Sequence, residues 1–259
     1  MIHPVKSYIA RKQKYQANHF WKTKYGKKLS ELKNKYDGQT CFLIGNGPSL
    51  RTEDLSVIHN NDVRCFAANR IYNTYDKTDW RTDFLVCEDG YVLEEIQNNV
   101  NAMDCEYKFI PMYLNWDKDI IIDNAFYFNQ SFFPDSSGRC FSEDITHDVI
   151  CRGTVITTCA QIAIYMGFKK MYLIGVDHNF SRMTDKNGNL IINNGVKDHY
   201  GVEKNADENT KGIFNVDNAT QAFMDLKKFA EAKGVEIYNA TRGGKLEVFD
   251  RVDFDSLFK

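Results

Sequence analysis

Cys41-Phe42-Leu43-Ile44-Gly45-Asn46-Gly47-Pro48-Ser49-Leu50 decides the fold. Apolar, strand-favouring residues run straight into Gly-Asn-Gly-Pro-Ser, and a helical pattern follows. The stretch reads as a strand, a tight glycine turn and a helix N-terminus. Glycines let the backbone approach a ligand closely, and the first N–H groups of a helix attract an anion. Asn46 adds a side-chain amide, and Pro48 suits the first turn of the helix. Gly45, Asn46, Gly47 and Ser49 are therefore candidate contacts for a nucleotide or sugar-nucleotide phosphate. The competing reading is an ordinary strand-to-helix turn with no ligand.

The same grammar recurs downstream. Asp62–Ala68 (DVRCFAA) reads as a second strand ending at Asn69, and Asp83–Cys87 (DFLVC) as a third, ending at Glu88-Asp89-Gly90. Tyr91–Met103 reads as helix, Tyr107–Pro111 as strand, and 112–150 holds short extended pieces such as Ala125–Phe128. Thr154–Gly167 is the clearest helix: apolar residues recur at helical spacing, Thr154 caps it and Gly167 closes it. Lys170–Gly175 (KMYLIG) is a buried strand ending at Val176-Asp177-His178. A polar excursion over 179–215 follows, then a helix over Val216–Lys233, a strand at Glu236–Tyr238 and a Gly243-Gly244 turn. Strands alternating with helices predict an α/β, Rossmann-like domain, a mostly parallel sheet with helices on both faces. Ligands in such sheets sit beyond the carboxyl ends of the strands, where Asn46, Asn69, Glu88-Asp89 and Asp177-His178 fall. The excursion reads as a structureless lid inserted in a catalytic domain over 39–259.

Composition sets the boundaries. The 259 residues are 43% hydrophobic and 14% aromatic, enough for one large core. No apolar run is long enough to span a bilayer and no secretory h-region opens the chain, so a cytoplasmic protein is expected. Seven cysteines without a CxxC pair read as reduced, buried thiols, not zinc ligands. Net charge is −2, but residues 1–38 carry about +8 and the remainder about −10. Tyr8, Tyr15, Phe20, Trp21 and Tyr25 lie among the leader's lysines. A basic, aromatic, helical leader over 1–38 fits an anionic membrane face at the inner plasma membrane; packing on the chain's own acidic body or on another subunit of a homo-oligomer fits equally. Nucleic acid is not an expected partner, because the main body is acidic.

Further side chains carry candidate chemistry. Arg152 and Thr154 precede a helix N-terminus and suit a second anion site, or a plain surface cap. Asp177 and His178 end a buried strand, where either is a candidate general base; capping of the loop is the alternative for Asp177. His199 and Tyr200 lie in the lid, as a candidate base and a partner for a leaving phosphate. Glu88 and Asp89 are candidates for a donor or acceptor sugar. No DxD lies at a strand end of the main sheet; Asp253-Phe254-Asp255 reads as part of a surface helix, and no metal is expected.

FLIGNGPSL, Asn69, RGTVITTCAQIAIYMGFKKMYLIGVDHNF and IYNATRGGKLEVF together resemble a widespread bacterial family described as 6-hydroxymethylpterin pyrophosphokinase-like (MptE-like). Many of its members sit among surface-polysaccharide genes. The resemblance spans about 40–258 and leaves the leader outside. The architecture also resembles bacterial lipooligosaccharide sialyltransferases. That likeness implies a CMP-sugar donor at Asn46 and Asn69, the Arg at Arg152, a lid tyrosine at Tyr200 and a metal-independent lid histidine as base. The chain departs from it by carrying Val202, Glu203 and Lys204 where that histidine falls, and Asn179, Phe180 and Asp185 where an early tyrosine pair falls.

The expected function is a metal-independent glycosyltransferase taking a nucleotide-activated sugar to a glycan or lipid-linked acceptor in cell-surface polysaccharide synthesis. It needs no cofactor. The alternatives are a Mg-ATP pyrophosphokinase acting on a pterin alcohol, which would draw on Glu88, Asp89 and Asp177, and a non-catalytic nucleotide-binding assembly protein.

Overall fold

The computed structural model describes residues 12–132, 138–184, 188–201 and 214–259. Its strands are β1 (Thr40–Ile44), β2 (Arg64–Ala68), β3 (Phe84–Val86), β4 (Tyr107–Pro111), β5 (Phe126–Phe128), β6 (Gln130–Phe132), β7 (Val149–Cys151), β8 (Lys170–Ile174), β9 (Arg182–Thr184), β10 (Leu190–Ile192), β11 (Phe214–Asn215) and β12 (Glu236–Asn239). Its helices include α1 (Lys24–Ser30), α2 (Thr52–Asn60), α3 (Gly90–Ala102), α4 (Met112–Lys118), α5 (Val155–Tyr165) and α6 (Val216–Ala232).

Seven strands form one wholly parallel sheet in the order β12-β8-β1-β2-β3-β4-β5. From β1 the chain steps outward to β5, then returns to the other side of β1 through β8 and β12. Right-handed crossovers put α2, α3 and α4 on one face and α5 and α6 on the other. The Rossmann-like reading therefore holds, and the direction of winding reverses between β1 and β8, where Ile44 pairs with Ile174.

The central strands are buried on both faces, as a parallel sheet requires, so they read as unbroken apolar runs. Cys41 to Ile44 and Cys65 to Ala68 are sealed from solvent. α5 is apolar almost all round because the sheet lies on one side and α6 on the other; Ile156, Cys159, Ala160, Ile162 and Ala163 are all buried. The cysteines are free thiols, five of them buried.

The described part of the leader packs on this body. Phe20, Leu29, Leu32 and Tyr36 join the main core, and Tyr36 stacks on Phe168 at 5.0 Å while donating to Glu106 at 2.7 Å. Lys28 Nζ donates to the carbonyls of Asn124 and Ala125, at 3.2 Å each. Tyr15 and Trp21 remain exposed. Among the described residues no helix is long and apolar enough to cross a membrane.

Four expectations are corrected. The excursion after β8 is not structureless: β9 pairs antiparallel with β10 and parallel with β11. Three-residue strands carry too little periodicity to show in sequence. The helix that the sequence pattern places over Ser49–Ile58 begins at Thr52 as α2, three residues later, because the amide of Leu50 first closes a turn on the carbonyl of Gly47 at 3.1 Å. The 112–150 region holds the expected short extended piece as β5 and the parallel pair β6 and β7, but it also holds an unexpected helix, α4, directly after Pro111. Asp253 caps only a single 3-10 turn, Phe254–Ser256, and Asp255 pairs with Arg242.

Candidate functional site

The first glycine turn continues the sheet beyond its strands. Gly45 N–H donates to the Ile174 carbonyl and Gly47 N–H to the Gly175 carbonyl, both at 2.8 Å. Contact is so close that a Cβ on Gly45 would lie 2.3 Å from the Gly175 oxygen, and one on Gly47 would lie 1.9 Å from Asp177 Oδ2. Ser49 donates to that same Oδ2 from its amide at 3.2 Å and its hydroxyl at 2.8 Å. The Asp177 carbonyl accepts from Lys245 N–H at 2.7 Å, which draws the Gly243-Gly244 turn in as well. Ser49's donors are thus committed to Asp177, and the helix amides the turn was expected to present lie further on. Burial pushes the Asp177 carboxyl up, with the Ser49 bonds opposing.

A cavity of about 340 Å³ opens above this clasp, at the reversal between β1 and β8. Four strand ends wall it: Asn46, Asn69, Glu88-Asp89 and Asp177-His178. The N-terminus of α5 (Gly153 to Ile156) forms another wall, and Asn179, Phe180, Asp198 and His199 close it from the excursion. Asn46 Nδ2 donates to the Ala68 carbonyl at 2.8 Å, and its own carbonyl accepts from Tyr200 N–H at 2.7 Å. Asn69 sits at φ +50°, a left-handed backbone that asparagine tolerates better than most residues. Its Oδ1, with Asn179 Oδ1 and Glu88 Oε2, is buried without a hydrogen-bond partner among the described residues. Three unspent acceptors call for a ligand rich in N–H and O–H groups, because a buried polar atom left alone costs about 1–3 kcal/mol.

The ionisable candidates separate by environment. His178 Nε2 is 2.7 Å from Thr220 Oγ1. That hydroxyl donates to the Val216 carbonyl at 2.8 Å, so Nε2 carries the proton and Nδ1 is the basic nitrogen of the neutral ring. Burial lowers the His178 pKa. His199 stands exposed at the rim; its neighbours strip part of its hydration, which lowers its pKa, Asp198 opposing and Arg70 adding. Asp198 accepts from the amide and hydroxyl of Ser181, both at 2.6 Å.

Arg152 and Tyr200, both expected at the site, fall outside this cavity, while Thr154 and Asp89 line it and also act as helix caps. Arg152 Nη1 is 2.6 Å from Asp225 Oδ2 of α6, and the arginine faces an adjoining cleft. Tyr200 presents its backbone to Asn46 while its ring lies 5.2 Å beneath Lys77 Nζ. Thr154 caps α5 through the amide of Ile156. Asp89 Oδ1 caps α3 through the amides of Tyr91 and Val92, at 2.8 and 3.3 Å. Asp185, Val202, Glu203 and Lys204 lie outside the described residues. The adjoining cleft, about 580 Å³, shares Glu88, Asp89, Gly153 and Thr154 with the main cavity. It also brings in Gln130 and Phe132, which the sequence did not single out because three-residue β6 carries too short an alternation to read. Burial pushes the Glu88 carboxyl up, Thr158 and Cys151 opposing.

Sheet order defines a Rossmann-like α/β protein with its main cavity at the switch point. The chain belongs to the MptE-like family: the model described as "6-hydroxymethylpterin diphosphokinase MptE-like" matches residues 16–183. The match starts inside the basic leader, which had been expected to fall outside it, and stops early in the excursion. No curated protein matches the chain. Among solved structures it is similar in fold to the MAf glycosyltransferase from Magnetospirillum magneticum AMB-1, with a TM-score of 0.52 at 17% identity. That alignment covers 90% of this chain and only 38% of the larger protein.

Proposed function

We propose that this protein is a glycosyltransferase that moves a sugar from a nucleotide donor, CMP-linked in the first instance, to a glycan or lipid-linked acceptor in cell-surface polysaccharide synthesis. The observation that carries the proposal is the switch-point cavity with buried, unpartnered acceptors at Asn69, Asn179 and Glu88. A base edge, ribose and sugar ring supply the donors these atoms lack; the N-terminus of α5, whose Ile156 and Thr157 amides are taken by Thr154, offers the positive end of its dipole to the phosphate. The fold shared with a glycosyltransferase supports the same choice.

The acceptor hydroxyl attacks the anomeric carbon as the bond from that carbon to the phosphate oxygen breaks, and the electron pair leaves with the phosphate. His199, held neutral at the cavity rim, takes the hydroxyl proton. The positive end of the α5 dipole stabilises the charge that develops on the phosphate.

The family's description favours a second reading, diphosphoryl transfer from Mg-ATP to a pterin alcohol. Its carboxylates do not form the compact set that magnesium requires. Asp89 caps α3, Asp177 is clasped by Ser49, and among the described residues no three His, Cys, Asp or Glu side chains gather as a metal site.

Thermal shifts with CMP, CDP, UDP, GDP and ATP, with and without Mg²⁺, test the choice. A cytidine nucleotide is expected to raise the Tm without metal. Asn69→Gly, which keeps the left-handed backbone, should weaken that binding about tenfold, as loss of one buried hydrogen bond implies. A shift with ATP and Mg²⁺ alone would favour the diphosphokinase. No shift with any nucleotide would leave a non-catalytic role.

A further inference from the structure

We propose that the open cleft beside the main cavity is the acceptor subsite, a binding site for an uncharged sugar with free hydroxyls. The proposal rests on the glycosyltransferase reading of the neighbouring cavity. Position is the first argument. Glu88, Asp89, Gly153 and Thr154 line both spaces, so the cleft adjoins the cavity along these residues and a molecule in one lies beside a donor sugar in the other.

Hydrogen bonding sets the chemistry of the guest. Gln130 Oε1 and Glu88 Oε2 are both shielded from solvent, and neither has a hydrogen-bond partner among the described residues. Gln130 Oε1 accepts only, and Glu88 Oε2 accepts when its carboxyl is ionised, so a ligand bearing hydroxyl groups, which can donate and accept, matches both. The cations of the cleft are already engaged. Lys118 Nζ is 2.5 Å from Glu94 Oε1 and 4.7 Å over the Tyr91 ring, and Arg152 is paired with Asp225. A phosphate or carboxylate would have to break those pairs, while a neutral sugar leaves them intact.

The rim supplies the apolar half of carbohydrate recognition. Tyr91 is 61% exposed and Phe132 67% exposed, unusual for large aromatics. An aromatic face covers the C–H side of a sugar ring while the hydroxyls turn toward polar partners, which pairs apolar and polar contacts in one site. Gln130 and Phe132 leave β6 on the same side, two residues apart, so one strand presents both kinds of contact.

Saturation-transfer NMR tests the assignment on the full chain, with the nucleotide that gives the largest thermal shift present. The probes are the methyl glycosides of glucose, galactose, mannose and N-acetylglucosamine, each at millimolar concentration. Transfer to at least one glycoside is expected. Gln130→Ala and Phe132→Ala should each weaken it about tenfold while leaving the nucleotide shift unchanged; Phe132 is exposed, so its removal spares the fold. No transfer to any glycoside on protein that binds nucleotide overturns the subsite, as does transfer indifferent to both substitutions. Displacement of the glycoside by inorganic phosphate overturns its uncharged character. Loss of nucleotide binding across the panel instead overturns the glycosyltransferase reading, and the glycoside result still judges the cleft by itself.

Discussion

Gly47→Ala strikes the contact that joins the two halves of the sheet. The new methyl would lie 1.9 Å from Asp177 Oδ2 and 2.7 Å from the Gly175 oxygen, far inside van der Waals contact. The carboxylate can swing away, but it then forfeits the two donors of Ser49. Hydrogen bonds to a charged acceptor contribute about 1.5–3 kcal/mol each when buried; Asp177 is half-buried and water replaces part, so about 2 kcal/mol is lost for the pair. The Gly175 oxygen is main chain, tied to the Gly47 amide at 2.8 Å, and cannot retreat alone. Overpacking against such a wall costs about 1–3 kcal/mol more. The expected loss is about 3–5 kcal/mol, or about 6–20 °C in Tm for a chain of this size. Calorimetry and urea unfolding read both. The mechanism makes a sharper claim through a double-mutant cycle. On an Asp177→Ala background the nearest clash is gone, so the cost of Gly47→Ala should fall by about half. A Tm drop below about 2 °C, or a cost undiminished without Asp177, would refute the reasoning.

Two further substitutions probe the site's ionisation and the leader. Burial holds the His178 pKa below its ordinary 6.5, so as pH falls the unfolded chain takes up that proton before the folded one. Its share of stability is present above about pH 6.5 and lost as pH falls through the folded value. His178→Asn tolerates φ +50° and should therefore lose less stability than the wild type between pH 7.5 and 5.5 in urea titrations; equal losses would refute this. Phe20→Ala empties a fully buried site in the leader and should cost about 3–5 kcal/mol in urea unfolding. A cost under about 1 kcal/mol would mean the leader contributes little to the core.

What could be read from sequence was whatever the chain repeats locally. FLI, CFAA, FLV and MYLI stand out because parallel strands are buried on both faces, and α5 because Thr154 and Gly167 mark its ends. Asn46, Asn69, Glu88 and Asp177 each follow such a strand, so their convergence on one cavity follows from topology alone. Long-range pairings were beyond reach. Nothing near Ser49 shows that its donors meet Asp177, and nothing near Arg152 points to Asp225 on α6. Both residues had looked ready for an anion because their partners lie far along the chain. Gln130 and Phe132 stayed hidden for a different reason, since β6 is only three residues long.

The bond from Tyr200 N–H to the Asn46 carbonyl joins the excursion to the first turn through main chain at both ends. Such a latch is indifferent to side-chain identity, and among the common residues only proline, which lacks the N–H, removes it at position 200. Side chains at position 200 can therefore be exchanged, proline excepted, without loosening the tie between the excursion and the first turn.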